Sequence, residues 1–365
     1  MNRKRVILIV LVLAMLMAAI IAALVVRSAR RPAPAPQSDA ASAPAPAYGQ
    51  RADVVHFAND IASRNQIPAE WVLRTLSSAR QMTQIQTLAL PPASSQQKKN
   101  WTAYRARFVE PQRIRAGLQF WSDNADALQR AEAQYGVPAS IIVGVIGMET
   151  LYGKQMGNFR VLDALATLAF DFPKDHPRAE QRKQYFLGEL EQFLVQTHKT
   201  DIAPSTLRGS YSGDMGLPQF MPSSWAEYGV DGDGDGKVNL WSAADASASV
   251  ANYLQGHGWI AGLPAFFEVS IHSPPDQWSV LLNAGIKPSL TLEEMRLRGV
   301  EVPAFNANPA TLLSLVELEN GESKALQIAG TNNFAALTRY NPSRYYALAV
   351  IQLASEIQKA RDAAR

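Results

Sequence analysis

The chain has 365 residues, 47% hydrophobic and 18% charged, enough apolar material for a sizeable core and too long for one ordinary domain. Its net charge of +3 is small and sits partly on Arg27, Arg30 and Arg31 beside the first apolar run, so charge makes no case for nucleic acid; a polyanionic wall polymer or anionic lipid suits it equally. With no cysteine, disulfide frameworks, thiolate metal sites, thiol nucleophiles and a cysteine-borne lipid anchor are all excluded.

Val6 to Val26 is an unbroken apolar run preceded by Arg3, Lys4 and Arg5, long enough to span a bilayer as a helix at about 20 residues. A cleavable signal peptide is the competing reading, because small residues such as Ala22 and Ala23 lie near its end. Basic residues on both flanks leave orientation undecided. Residues 1–31 are therefore expected to form an anchor. Residues 32–50, rich in Pro, Ala and Ser with PAPAP and APAPA repeats, read as an extended tether.

From residue 51 the pattern turns helical. Val55, Ala58, Ile61 and Ala62 recur at helical spacing, and Ile67-Pro68 punctuates before Trp71, Leu73 and Leu76. Arg113 to Tyr135 reads as one helix with Ile114, Leu118, Trp121 and Leu128 on one side and Gly136 as its stop. Pro138 opens another, running through Ile141, Ile142, Val145 and Ile146 to Tyr152. Past Trp259 the period changes to two: Phe267, Val269 and Ile271 alternate with polar residues, as do Val316 and Leu318, and Asn320-Gly321 is a strong hairpin signal. The expected fold class is mainly α (α+β): a helical body over 51–262, a small β-rich insert over 263–335, and a closing helical segment over 336–365.

Glu149 lies in IIVGVIGMETLYG, where its helical neighbours three and four positions away are Val145, Ile146, Tyr152 and Gly153 and no basic partner shares the face. Desolvation there raises a carboxyl pKa, which keeps a glutamate protonated near neutrality as a general acid. A buried structural glutamate is the alternative. Further on, Asp231, Asp233 and Asp235 alternate with glycines and Gly236 follows, the pattern of positions 1, 3, 5 and 6 in a calcium-binding EF-hand loop, with the Lys237 carbonyl as a further ligand. Ser242 stands where that loop places its bidentate Glu, and the next acid is Asp245. A solvated acidic turn is the alternative, and Mg²⁺ or Na⁺ can substitute for Ca²⁺.

GMETLYG, LDALATLAFDFP, FLGELEQFL, GSYSGDMGLPQFMPSSW, DGDGDGKVNLW and ANYLQGHGW occur in order, and with them the chain resembles the membrane-bound lytic murein transglycosylase B family from about residue 50 to near its C-terminus. The resemblance implies a lysozyme-like core around a groove, with cleavage of the MurNAc-β-1,4-GlcNAc bond of peptidoglycan without water to leave 1,6-anhydro-MurNAc ends. The family's catalytic glutamate falls on Glu149, which acts first as acid and then as base. Substrate contacts fall on Tyr104, Ser210, Gln219, Tyr253, Tyr340, Asn341 and Tyr346. Tyrosine faces suit pyranose rings, while Ser, Asn and Gln supply directional hydrogen bonds. The family's lengthened EF-hand-like loop closes on an aspartate that Asp245 matches, and its ion is structural; no cofactor is expected for catalysis.

No second acid is obviously paired with Glu149, although spacing leaves Asp214 and Asp163 open. A hydrolytic muramidase and a non-catalytic peptidoglycan-binding module are the rival functions. There is no HExxH motif, no P-loop, and GSYSG carries Tyr211 where a nucleophile elbow needs Ser. His257 reads as a structural hydrogen-bonding residue. Relatives are often anchored through an N-terminal lipidated cysteine; here the 6–26 helix takes that place, holding a monomer at the periplasmic face of the inner membrane, its partners being peptidoglycan glycan strands and that membrane.

Overall fold

The structure, a computed structural model, describes residues 48–91, 99–303 and 308–364. The expected membrane helix at 6–26 and all but the end of the tether lie outside them. Among the described residues no helix is long and apolar enough to cross a membrane. Tyr48–Gln50, assigned by composition to the tether, form a 3-10 turn in which Tyr48 is buried, packs on Phe170 and donates to Asp171 Oδ2 at 2.7 Å. An aromatic ring with a hydroxyl partner holds the chain to the body there.

The first helix, Ala52–Asn65, buries Val54, Ala58, Ile61 and Ala62, so Val54 and not Val55 leads the stripe. Gln66 ends it in the left-handed conformation (φ 55°). Ala69–Ser77 then buries Val72 and Leu76, leaving Trp71 and Leu73 half-buried. These two helices share one core with Val161–Phe170 and the long helix Ala179–Lys199.

A second core gathers around Ala139–Thr150. Residues 141–148 are all buried, so this helix is apolar on every side. Ile142 and Ile146 are fully buried, and each such side chain contributes about 1.5–3 kcal/mol over an exposed one. Ala125–Tyr135, Ala243–Gly256 and the C-terminal helix Arg344–Ala363 surround it. The single helix expected over 113–135 is two, Pro111–Asp123 and Ala125–Tyr135, broken at Asn124, whose side-chain amide donates to the Phe120 carbonyl at 2.8 Å. Asparagine competes for the backbone in this way, and apolar periodicity does not register it.

The insert holds a three-stranded antiparallel sheet in which Ser323–Gly330 lies between Phe266–Glu268 and Ser314–Asn320. Asn320-Gly321 turns the hairpin, with Gly321 at φ 64°. Alternation sends Val316, Leu318 and Ile328 into the second core and Leu315, Ala329 and Phe267 into a third, smaller one. The sheet is thus covered on both faces and is packed onto the helical body. Helix Asn332–Tyr340 crosses the expected 335/336 boundary, and Arg344–Ala363 follows.

Candidate active site

Glu149 occupies the last turn of Ala139–Thr150 and is the half-buried residue in an otherwise buried run. The helix stops one residue later, two short of the expected end, because Leu151 (φ 48°) and Tyr152 (φ 57°) are both left-handed. Tyr152 folds back so that its hydroxyl lies 2.3 Å from where a Cβ on Gly147 would stand, so only glycine fits at 147.

Tyr346, on the first turn of the C-terminal helix, donates its hydroxyl to Glu149 Oε1 at 2.6 Å. Oε2 has no hydrogen-bond partner among the described residues. Burial pushes the Glu149 carboxyl up to about 7; the Tyr346 hydrogen bond opposes this and the nearby Asp214 charge adds to it. Asp214 itself accepts from Ser210 Oγ at 2.5 Å and Ser212 Oγ at 2.6 Å. Asp163, the other acid left open by spacing, lies apart, buried against Arg160 and the Arg80 amide.

The tyrosines line up around this centre. Tyr340 stacks near-parallel on Tyr346, 13° between planes at 6.4 Å, and anchors its hydroxyl on the Pro218 carbonyl at 2.6 Å. Tyr253 meets Tyr340 edge-on at 4.8 Å, and His257 stacks on Tyr253 at 4.1 Å with Nδ1 2.8 Å from its carbonyl. Tyr104 feels the Glu149 charge, which together with the larger effect of burial raises its pKa. Gln219 sits at φ 51°, its amide donating to the Gly216 and Met156 carbonyls at 2.9 and 3.3 Å. Asn341 is exposed just past Tyr340. Two contributors had no signal of their own in the sequence: Ser212, which co-holds Asp214, and Phe220, whose ring joins Tyr253 and Tyr340 at 5.5 and 5.8 Å.

In the acidic loop, Asp231, Asp233 and Asp245 bring carboxylate oxygens within 4.8 Å of one another. Asp245 comes from the first turn of Ala243–Gly256, where it is buried. Its carboxylate accepts from the Gly232 and Asn239 amides at 2.9 and 2.7 Å. Asp235 is outside the converging set and accepts instead from the Lys237 amide at 2.8 Å. Hard oxygen donors with no nitrogen or sulfur among them suit Ca²⁺ or Mg²⁺.

The model of the transglycosylase SLT domain family matches residues 49–355. Membrane-bound lytic murein transglycosylase B of Escherichia coli K12 is 41% identical over 270 residues, covering 72% of this chain and 68% of that protein. Escherichia coli lytic transglycosylase Slt35, solved in complex with calcium, superposes with a TM-score of 0.70 at 34% identity over 84% of this chain and 92% of its own. SltB3 of Pseudomonas aeruginosa, solved with NAG-anhNAM-pentapeptide, gives 0.68 at 31% identity over 83% and 79%.

Proposed function

The chain belongs to the transglycosylase SLT domain family and is a lytic murein transglycosylase, and from that premise we propose that Glu149 carries both proton transfers of the reaction. The observation behind this is its carboxyl, held near neutrality by burial, with one oxygen fixed by Tyr346 and the other without a partner among the described residues. Protonated Glu149 gives its proton to the glycosidic oxygen; the bond from that oxygen to the muramoyl anomeric carbon breaks, and the GlcNAc side leaves as the alcohol. The substrate's 2-acetamido group covers the positive anomeric carbon. The Glu149 carboxylate then takes the proton of the C6 hydroxyl as that oxygen bonds to the same carbon. This closes the 1,6-anhydro ring and leaves Glu149 protonated for the next cycle, so no water is consumed.

In this reading Tyr346 orients the carboxyl, while Tyr104, Tyr253 and Tyr340 offer ring faces and Ser210, Gln219 and Asn341 offer hydrogen bonds to the glycan. Ca²⁺ bound by Asp231, Asp233 and Asp245, with Asp235 and the Lys237 carbonyl as further ligands, would supply neutralising charge that ties the loop to the following helix. Support comes from the converging carboxylates and from the calcium complex of Slt35. The 6–26 segment anchors the enzyme in the inner membrane with its body in the periplasm, where the murein lies; the membrane-bound E. coli relative supports attachment to a membrane. Purified protein on murein sacculi tests the mechanism. Products should be one water lighter than hydrolytic muropeptides, and Glu149→Gln should make none while still binding; hydrated ends or an active variant would refute it.

A further inference from the structure

A cleft of about 600 Å³ is lined by Arg80, Gln84, Asn158, Arg160, Asp163 and Arg208. Its volume is in the range of ligand sites. Three arginines and one carboxylate line it, and the pairing is unequal. Arg160 is committed, its guanidinium donating to Asp163 and to the Ser78 carbonyl. Among the described residues Arg208 reaches only backbone carbonyls, at Ser205, Thr206 and Leu207. Arg80 has no side-chain partner among the described residues, since its bond to Asp163 uses the main-chain amide. Two exposed arginines therefore line this cleft without a carboxylate partner among the described residues.

The cleft is joined to the catalytic groove through the backbone. Phe159–Arg160 pairs with Arg208–Gly209 as a two-stranded sheet, and the next residue is Ser210, which holds Asp214. Two residues of chain span at most about 7 Å, which bounds the separation of the Arg208 and Ser210 Cα atoms. Gln219 donates to the Met156 carbonyl, two residues before Asn158. Gly157 (φ 86°) fastens this edge: a Cβ there would lie 2.1 Å from the Gly209 carbonyl oxygen.

We propose that this cleft binds a carboxylate of the murein stem peptide, with Arg80 and Arg208 as the recognising groups. The inference rests on the transglycosylase reading and extends it from the glycan to the peptide hung on each MurNAc. A planar guanidinium matches a carboxylate in two parallel hydrogen bonds, and the lactoyl-linked peptide is the part of this polymer that bears carboxylates. An extended tetrapeptide reaches about 14 Å from its attachment, ample to leave the sugar groove and enter an adjoining cleft.

The test compares the Arg80→Gln/Arg208→Gln double variant with wild type on glycan chains carrying stem peptides and on chains stripped of them by an amidase. KM on peptide-bearing chains should rise at least about tenfold, the size of one charge-assisted hydrogen bond, while kinetics on stripped chains stay unchanged. Equal effects on both substrates, or none on either, would overturn the proposal. A binding readout separates it from the catalytic reading: an acidic stem tetrapeptide titrated into full-length Glu149→Gln should bind, and should lose affinity when its carboxylates are amidated or both arginines are replaced. If the wild type produced no anhydro ends, the transglycosylase reading would fail while this titration still decided the cleft. Tetrapeptide binding untouched by the arginine substitutions would refute the cleft whatever the turnover.

Discussion

Replacing Glu149 by Gln should stabilise the protein at alkaline pH while abolishing its chemistry. Burial raises this carboxyl from an ordinary 4.5 to about 7. The native state therefore holds the proton more tightly than the unfolded chain. Between those two values the unfolded state binds fewer protons, so the stabilising contribution is fully present below about 4.5 and is lost as pH rises through about 7. A shift of this size corresponds to roughly 3 kcal/mol at pH 8, which we take as a ceiling because Glu149 is only half-buried. Glutamine does not titrate and still accepts from Tyr346. Relative to wild type, the variant should gain about 2–3 kcal/mol between pH 5 and pH 8, a Tm difference widening by roughly 5 °C for a body of this size. Calorimetry of both proteins at pH 5, 6.5 and 8 measures it, and any constant offset from the substitution cancels in the comparison. A gap that stays the same across this range would refute the claim that burial of the charged form is what tunes Glu149.

Tyr346→Phe removes the hydrogen bond that favours the carboxylate, so the alkaline limb of the kcat/KM profile should move to higher pH while the rate at its maximum falls by about tenfold or more. Asp214→Asn removes a neighbouring negative charge and should move that limb the other way, lowering activity without abolishing it; complete loss would make Asp214 a second catalytic carboxylate. Calcium should raise the Tm relative to EGTA, and Asp245→Asn should remove most of that difference; equal melting with and without calcium would dismiss the site. Alkaline carbonate should leave the full-length protein in the membrane pellet, and its recovery as a soluble form would favour cleavage of the 1–31 segment.

What the sequence disclosed follows from how local each determinant is. Glu149 stood out because a lone acid in an unbroken apolar helix is a local anomaly, but that pattern alone favours a structural glutamate, and only the surrounding family motifs point to a catalytic one. Its partner Tyr346 lies 197 positions away; the motif match marked Tyr346 as a substrate contact, and its hydrogen bond to Glu149 is visible only in the structure. Asn320-Gly321 marked its hairpin because turn chemistry is local too. The cover on both faces of that sheet was hidden, since strands read as alternating apolar and polar still buried Ser314 and half-buried Glu317. The helix ended earlier than its period suggested because Leu151 and Tyr152 adopt a conformation that non-glycine residues rarely take, and packing of Tyr152 on Gly147 imposes it. Asp245 was identifiable as the closing acid of the loop. That Asp235 turns to the Lys237 amide could be learned only from coordinates.

In the proposed mechanism, the arrangement around Glu149 explains how one carboxylate would suffice. A site with two acids separates roles, keeping one protonated and the other ionised by giving them different surroundings. Here opposing influences act on one group. Burial drives the proton on, the Tyr346 hydroxyl pulls it off, and the Asp214 charge presses it back. The outcome near 7 leaves both protonation states populated at neutral pH, the condition under which one group can donate to a leaving oxygen and then accept from a hydroxyl within one turnover. Asp214 serves that balance by its charge, with one oxygen already occupied by Ser210 and Ser212. Its influence on the proton of Glu149 requires no contact with the sugar, and in the proposed mechanism it holds no nucleophilic role, which the Asp214→Asn variant tests.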